Sequence, residues 1–325
     1  MKNIVMTQAL CKEGYDILEN NGTIYVADNP NPTEYMDKMA TANCIVVRIG
    51  HMTKEEIEAS PHLEVIGRPG VGYDSIDVDA ATKRGIPIVI TPSANADSVA
   101  EHTMAMIFAL SSNLVEAHNE TLIGNFAIRN NGKAFELNHK LLGIAGIGDI
   151  GKRVAKLAQG MNLKICAFDP AYNKEQMESL NIQYCSTLEN MLEISDVITI
   201  HTPLTDETRN MFNLEHMKKM KKTSLLVNCA RGGIINERDL VHALNSGIIA
   251  GAGIDVFVEE PPYTDHILFT AQNIICSPHS AAQTREAVIN MATQCAQGCS
   301  AVMQGEKWTN VANPDVYNHP KWLKK

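Results

Sequence analysis

A chain of 325 residues and 35.6 kDa is, at about 150 residues per domain, long enough for two domains. With 45% hydrophobic and 20% charged residues it can bury a full core, which excludes a disordered tail or a fibre. Its 28 basic against 37 acidic side chains leave a formal net charge of -9, which argues against a sequence-independent grip on nucleic acid or an anionic membrane, so an anionic substrate needs a local basic pocket. No apolar run approaches the roughly eighteen residues of a membrane span. The first six residues lead into a strand pattern without a secretory apolar region, and a cytoplasmic location is expected. Cys11, Cys44, Cys166, Cys185, Cys229, Cys276, Cys295 and Cys299 are scattered, mostly in apolar runs, with no C-x-x-C pair and no zinc spacing. They read as buried thiols in a reducing compartment.

In chain order, short β-branched runs at residues 3–6, 24–26, 44–48, 63–66 and 86–90 alternate with helical stretches. This pattern predicts a parallel sheet covered on both faces. From Ser98 a long helix is predicted, with Ala100, Thr103, Met104, Ile107, Phe108, Ser111, Leu114 and Val115 at three- and four-residue intervals and Asp97 or Ser98 as its N-cap. After a polar stretch over residues 124–140, a second strand series follows at 141–145, 163–168, 197–200, 225–228, 248–255 and 274–276. A last helix is predicted over 284–303, before a polar, Pro-bearing tail at 308–325. The fold class is α/β, and there is neither a repeat at solenoid period nor a low-complexity segment.

Gly146-Ile147-Gly148-Asp149-Ile150-Gly151 follows the strand at 141–145 and opens a helical run that ends at Gly160. Glycines in a strand-turn-helix setting let the backbone approach a pyrophosphate held by helix N-terminal N–H groups. The next strand ends in Asp169, eighteen positions beyond Gly151, where a carboxylate can accept from the ribose hydroxyls of a dinucleotide. That acid repels a 2′-phosphate, and no Arg follows it in Pro170-Ala171-Tyr172-Asn173, so NAD is expected rather than NADP. Asp149 leaves phosphate binding to backbone groups and water, because its side chain cannot donate. Thr202, in His201-Thr202-Pro203 after another strand, is expected to line the cofactor, with His201 structural.

Three further strand ends carry chemistry: Asn228-Cys229-Ala230-Arg231-Gly232-Gly233, Asp255-Val256-Phe257-Val258-Glu259-Glu260 and Ser277-Pro278-His279-Ser280-Ala281-Ala282. Reduction of a 2-oxo acid needs an anchor for the carboxylate, polarisation of the carbonyl and a proton for its oxygen. Arg231 supplies the first two through its planar, permanently charged fork, and His279 the proton, with Glu260 favouring imidazolium. In the oxidative direction neutral His279 is the base. Each residue also has a bland use: His279 capping a helix, Glu260 as solvated loop charge, and Arg231 paired with Glu237 or Asp239. Among eleven histidines none forms H-x-x-x-H or H-E-x-x-H with neighbouring ligands, and no metal is expected.

These motifs, together with residues 67–77 and Ser98-Val99-Ala100-Glu101-His102, resemble the D-isomer specific 2-hydroxyacid dehydrogenase family, whose members include 3-phosphoglycerate dehydrogenases, glycerate dehydrogenases and hydroxypyruvate reductases. The resemblance covers nearly the whole chain. It implies two doubly wound parallel-sheet domains: a flavodoxin-like substrate domain over 1–98 and 288–325, and a Rossmann NAD-binding domain over 99–287. It implies Arg231, Glu260 and His279 as catalytic residues. The cofactor contacts it implies are Gly146, Gly148, Asp149, Ile150, Gly151, Asp169, Thr202, Cys229, Ala230, Arg231, Asp255, His279 and Ala281. The substrate carboxylate is expected at the backbone of Gly70, Val71 and Gly72 with Arg231 and His279, and relatives are usually homodimers. Two departures stand out: Arg48-Ile49-Gly50-His51 where relatives often carry a small hydroxyl residue, and a chain that ends soon after its last helix, so that serine control through an added regulatory domain is not expected.

The expected function is NAD(H)-dependent interconversion of a small D-2-hydroxy acid and its 2-oxo acid. A phosphorylated three-carbon substrate, as for 3-phosphoglycerate dehydrogenase, comes first, because Arg48, Arg68 and Arg129 offer positive charge in an acidic chain. Hydroxypyruvate or glyoxylate reduction is the alternative. A non-catalytic NAD(H)-binding co-regulator of the same fold is a third reading, disfavoured by the lack of long appended segments for recruitment.

Overall fold

The computed structural model describes residues 1–29, 31 and 35–323. Lys324 and Lys325, at the end of the polar tail, lie outside the described residues. The chain divides into two compact units, Met1–Asn95 with Gln283–Lys325, and Ala96–Ala282.

In the first unit β1 (Lys2–Met6), β2 (Gly22–Val26), β3 (Cys44–Val46), β4 (Val65–Gly67) and β5 (Ile88–Val89) form a sheet of order β2-β1-β3-β4-β5, parallel throughout. This is the flavodoxin-like strand order. Alternate residues go to opposite faces, as a strand's period of two requires. Ile4, Met6, Cys44, Val46, Val65 and Val89 pack with Ala292, Cys295, Ala296 and Cys299 of the Arg285–Met303 helix. Val5, Ile45, Ile66 and Ile88 pack on the other face with Tyr35, Met39, Ile57 and Ala81. Both faces are therefore apolar, which explains why the strands read as continuous hydrophobic runs.

The second unit holds β6 (Leu141–Ala145), β7 (Lys164–Phe168), β8 (Gln183–Tyr184), β9 (Val197–Ile200), β10 (Leu225–Asn228), β11 (Gly251–Ile254) and β12 (Ile274–Cys276) in the order β12-β11-β10-β9-β6-β7-β8, again parallel. The chain leaves β6 to one side for β7 and β8 and returns to the other for β9 to β12. The order reverses between β6 and β9, the switch point at which doubly wound sheets open a crevice outside their carboxyl ends.

Several boundaries differ from the sequence reading. The long helix expected from Ser98 to Val115 is two helices, Ala96–Ser111 and Leu114–Leu122, separated at Asn113, whose φ of 52° is left-handed. Asn tolerates that conformation, and apolar spacing alone does not reveal it. The first of these helices starts at Ala96, so Asp97 and Ser98 lie in its first turn rather than at its cap: Asp97 pairs with Arg153 at 2.6 Å and the Ser98 hydroxyl donates to the Ala281 carbonyl at 2.6 Å. The run at 248–255 yields only the four residues of β11, because Ile248 closes the preceding helix through a bond from its N–H to the Ala243 carbonyl. β8, two residues on the sheet edge, is too short to leave a pattern.

The tail after the Arg285–Met303 helix, which itself forms a 3-10 turn at Pro314–Asn318 and a short helix at Pro320–Leu323, completes the first unit. Ala312 N–H donates to the Ile88 carbonyl and Ile90 N–H to that of Asn310, an antiparallel addition to β5. Asn313, 5% exposed, accepts from Ile88 N–H at 2.9 Å and donates to Thr82 Oγ1 and the Ile86 carbonyl. Asn313→Ala leaves the buried Ile88 N–H without this acceptor and is expected to destabilise the chain by about 1–3 kcal/mol. An unchanged urea midpoint would show that the tail is not coupled to the sheet.

Candidate functional site

The glycine turn follows β6. Gly146 has a φ of 94°, and a Cβ on it would stand 2.8 Å from the His201 carbonyl oxygen. A Cβ on Gly151 would collide with the Gly146 carbonyl oxygen, whereas nothing lies within 4 Å of one built on Gly148. The outer glycines thus let the turn close, and the middle one opens on space ahead of the Asp149–Gly160 helix. No side chain caps that helix at Gly148. The first turn of that helix closes with Lys152 N–H on the Gly148 carbonyl at 3.1 Å, and the backbone N–H groups ahead of Lys152 belong to the end of a helix that carries the positive pole of its dipole.

Asp169, directly after β7, is fastened to the turn: Oδ2 accepts from Ile147 N–H at 2.8 Å and Oδ1 from Ala171 N–H at 2.9 Å. Each oxygen keeps a second lone pair. Asp149 pairs with Arg153 one helical turn on. The Thr202 hydroxyl, whose methyl lies against Gly146, is buried without a hydrogen-bond partner, as is Nδ1 of His201. Burial alone pushes the His201 imidazole down to about 3, so it is neutral, and its Nε2 lies 3.0 Å from the Thr199 hydroxyl.

The three catalytic candidates follow three adjacent strands, β10, β11 and β12. Asn228, the buried last residue of β10, shapes the first turn by accepting from Ala230 N–H at 3.0 Å and donating to the Arg231 carbonyl at 2.9 Å. Arg231 Nη1 donates to the Ala230 carbonyl at 2.6 Å. Cys229, buried beside Met106, has its thiol pushed up by burial to about 12 and is an inert packing residue.

Glu260 reaches back with Oε1 to Phe257 N–H at 3.0 Å, and its Oε2 lies 2.6 Å from His279 Nδ1. Burial raises the Glu260 carboxyl, but the hydrogen bonds from His279 and Phe257 and the charges of His279 and Arg231 outweigh it and hold the group below the ordinary value. His279 itself sits at a φ of 50°, with its N–H on the Asp255 carbonyl at 2.7 Å. Asp255, fully buried, accepts at its carboxylate from Ser277 Oγ at 2.5 Å and from the N–H groups of Ser280 and Ala281 at 2.8 and 3.0 Å.

Of the remaining predicted residues, all but Arg129 belong to the first unit. In the first unit Arg48 donates to the Ala9 carbonyl at 2.8 Å, and Arg68 donates to the carbonyls of Gly72, Val47 and Arg48 at 2.8, 3.1 and 2.6 Å. Gly70 N–H donates to the Thr91 hydroxyl at 2.8 Å, and Val71 is exposed. Arg129 belongs to the 3-10 turn Phe126–Asn130 of the second unit and lies 5.3 Å over the Phe126 ring. Sequence reading missed Asn228, whose one signal is an amide at the end of an apolar strand. It also missed Ser277 and His102, whose Nε2 lies 3.0 Å from the Ser277 oxygen. Among the described residues no group of three or more His, Cys, Asp or Glu is placed to hold a metal ion.

Residues 104–281 match the family model described as D-isomer specific 2-hydroxyacid dehydrogenase, NAD binding domain. The chain belongs to this family. It is 40% identical over 314 residues to a D-3-phosphoglycerate dehydrogenase of Methanocaldococcus jannaschii, covering 96% of this chain and 60% of that one. It is 34% identical over 323 residues to a glyoxylate reductase of Aeropyrum pernix, covering 96% of each. The crystal structure of D-lactate dehydrogenase from Aquifex aeolicus, complexed with NAD and lactic acid, superposes with a TM-score of 0.84 at 29% identity, over 94% of this chain and 96% of that one. The chain thus spans about three-fifths of the first relative's length and nearly all of the second's.

The residues at the turn fit NAD, the cofactor of the family. The open space over Gly148, the uncapped helix start and the unpartnered Thr202 hydroxyl are features that a bound dinucleotide satisfies and an empty packing turn does not. The buried His201 makes this turn acid-sensitive. Its folded value of about 3 lies below the ordinary 6.5, so across that interval the unfolded chain binds the proton and the folded one does not. Stability is therefore lost progressively as pH falls from 6.5 towards 3. His201→Asn is expected to lose less stability than wild type over that interval in urea melts. Parallel loss in the two proteins would mean that the imidazole charges without penalty.

Proposed function

We propose that this chain is an NAD-dependent dehydrogenase interconverting a small D-2-hydroxy acid and its 2-oxo acid, with Arg231 anchoring substrate, His279 as acid and base, and Glu260 assisting. The observation that carries this reading is the 2.6 Å bond between His279 Nδ1 and Glu260, on the loops that follow β12 and β11, with Arg231 on the loop that follows β10, the next strand in the sheet. When bound, NAD supplies hydride transfer to or from the hydroxyl-bearing carbon. Arg231 holds the substrate carboxylate through two parallel N–H bonds and draws electron density from the neighbouring carbonyl. Glu260 accepts at Nδ1 of His279, which fixes the ring and leaves Nε2 to give the carbonyl oxygen its proton in reduction and to remove it in oxidation. Asp169 accepts from the ribose hydroxyls and disfavours a 2′-phosphate, and Thr202 completes its hydrogen bonding on the cofactor.

A phosphorylated three-carbon acid is the first substrate proposed, in keeping with the 40% identity to a D-3-phosphoglycerate dehydrogenase. Glyoxylate or hydroxypyruvate is the second reading. Two observations favour it: the match to a glyoxylate reductase covers 96% of both chains, and Arg68 directs its guanidinium to backbone carbonyls. A panel of 2-oxo acids, with and without a phosphate, assayed with NADH and NADPH decides between them. His279→Ala is expected to lower turnover by about 10²-fold or more while NADH still binds. Unchanged turnover removes His279 from the mechanism, and NADH binding without turnover of any acid in wild type supports a co-regulator instead.

The partner proposed is a second copy of the chain. The Leu114–Leu122 helix buries none of its residues, yet Leu114, Leu122, Ile123 and Phe126 are 59%, 72%, 78% and 66% exposed. So much apolar surface on one segment marks an interface. Its eight free cysteines suit a reducing compartment such as the cytoplasm, and no helix among the described residues is long and apolar enough to cross a membrane. Leu122→Asp combined with Phe126→Asp is expected to convert a dimer into a monomer in light scattering. A dimer that survives both changes refutes this surface.

A further inference from the structure

Glu237 is the first residue of the Glu237–Asn245 helix. The helix does not need it as a cap, because Asn236 accepts from Asp239 N–H at 3.1 Å. Its side chain is only 15% exposed and turns towards the segment that carries Glu260. Oε1 accepts from Val258 N–H at 2.9 Å, and Oε2 stands 3.3 Å from His266 Nε2. His266 Nδ1 accepts from Leu268 N–H at 3.4 Å, which puts the imidazole proton on Nε2, facing Glu237. The ring is wedged edge-on to Phe257, with centroids 5.6 Å apart at 88°, and against Phe269 at 5.6 Å.

Phe257 is where this arrangement meets the site. Its N–H holds Oε1 of Glu260, and its carbonyl oxygen approaches Gly232 so closely that any Cβ there would collide with it. The Phe257–Val258 backbone therefore has Glu260 hanging from one side and the turn of Arg231 stacked on the other. Glu237 fixes that backbone. A carboxylate so enclosed is costly unless its bonds are made, so it resists displacement of Val258.

We propose that Glu237 is a positioning residue: held by His266, its carboxylate fixes the Phe257–Val258 backbone so that Glu260 meets His279 beside the Arg231 turn. This rests on the reading of Glu260 and His279 as the acid-base pair. Glu237 acts through Glu260 and contacts neither reactant.

The test uses Glu237→Ala and Glu237→Gln in the full chain, each alone and combined with Glu260→Ala. The first readout needs no turnover. The groups acting on the Glu260 carboxyl are His279, Phe257 N–H and Arg231, so its carbon-13 signal, titrated by NMR, reports its position. In Glu237→Ala the midpoint is expected to move upward; an unmoved midpoint overturns the proposal. The second readout is kinetic. Glu237→Ala is expected to lower kcat on the order of tenfold, with the KM for NADH nearly unchanged, and Glu237→Gln, which still accepts from Val258, to lose less. In the Glu260→Ala background the same change is expected to cost less than about twofold, because the two residues act as one unit. Equal losses in both backgrounds overturn the proposal. If wild type reduces no 2-oxo acid, the functional reading fails and the titration alone decides. If Glu237→Ala does not fold, Glu237→Leu, which cannot accept from Val258, is titrated in its place, with the same upward movement expected and an unmoved midpoint overturning the idea.

Discussion

Asp255 has no exposed surface, yet four bonds converge on it from the five residues that carry His279. Its carboxylate takes the Ser277 hydroxyl and the N–H groups of Ser280 and Ala281, and its carbonyl takes the N–H of His279. A buried carboxylate stripped of such donors is a penalty of several kcal/mol, so the segment cannot leave without exposing it. That is how a non-glycine residue comes to hold a φ of 50°: the surrounding bonds over-determine a conformation an isolated chain would avoid. His102 extends the same network, since Ser277 donates to Asp255 and so accepts from His102 Nε2.

The parallel sheet supplies the other half of the constraint. Strands buried on both faces must be apolar, and every parallel strand delivers its following loop to the same edge. Three neighbouring strands therefore bring Arg231, Glu260 and His279 to one edge although the helix Glu237–Asn245 and a long loop separate them in sequence. Glu260 is where opposing effects are weighed. Burial alone would raise its carboxyl, and the imidazole, the amide of Phe257 and the guanidinium together hold it below the ordinary value. A carboxylate in that state can orient a ring and stabilise its cation.

Much of this was legible in the residues. The two strand series, the glycine turn and the acid after β7 each rest on a local rule of period, spacing or backbone freedom, and β6 and β9 occur with the boundaries expected. What escaped depended on partners far along the chain. Asn113 breaks a helix whose apolar spacing continues across it, and Ser98 looks like a cap until its hydroxyl is seen on the Ala281 carbonyl. Arg48 donates to the Ala9 carbonyl and Arg68 to those of Gly72, Val47 and Arg48, and of these acceptors only Gly72 is near its donor in sequence while also following it. Glu237 and His266 carry no motif at all; their meaning lies in which amide and which ring they meet.

Asp149 shows how one feature of the turn resolves an apparent conflict. An acid at the start of a helix complements the positive end of its dipole, but it stands where an anionic pyrophosphate is to approach. Arg153, one turn later, answers this by pairing with Asp149 and, at 2.6 Å, with Asp97 of the neighbouring helix. Arg153 thereby offsets one of the two carboxylate charges at the helix start. Because both partners are substantially exposed, the ion pair adds little stability of its own, and its effect is on the field at the helix start. The turn can then recognise phosphate through backbone N–H groups alone, which explains how a chain of net charge -9 accommodates a dianionic ligand without a lysine or arginine in its glycine motif.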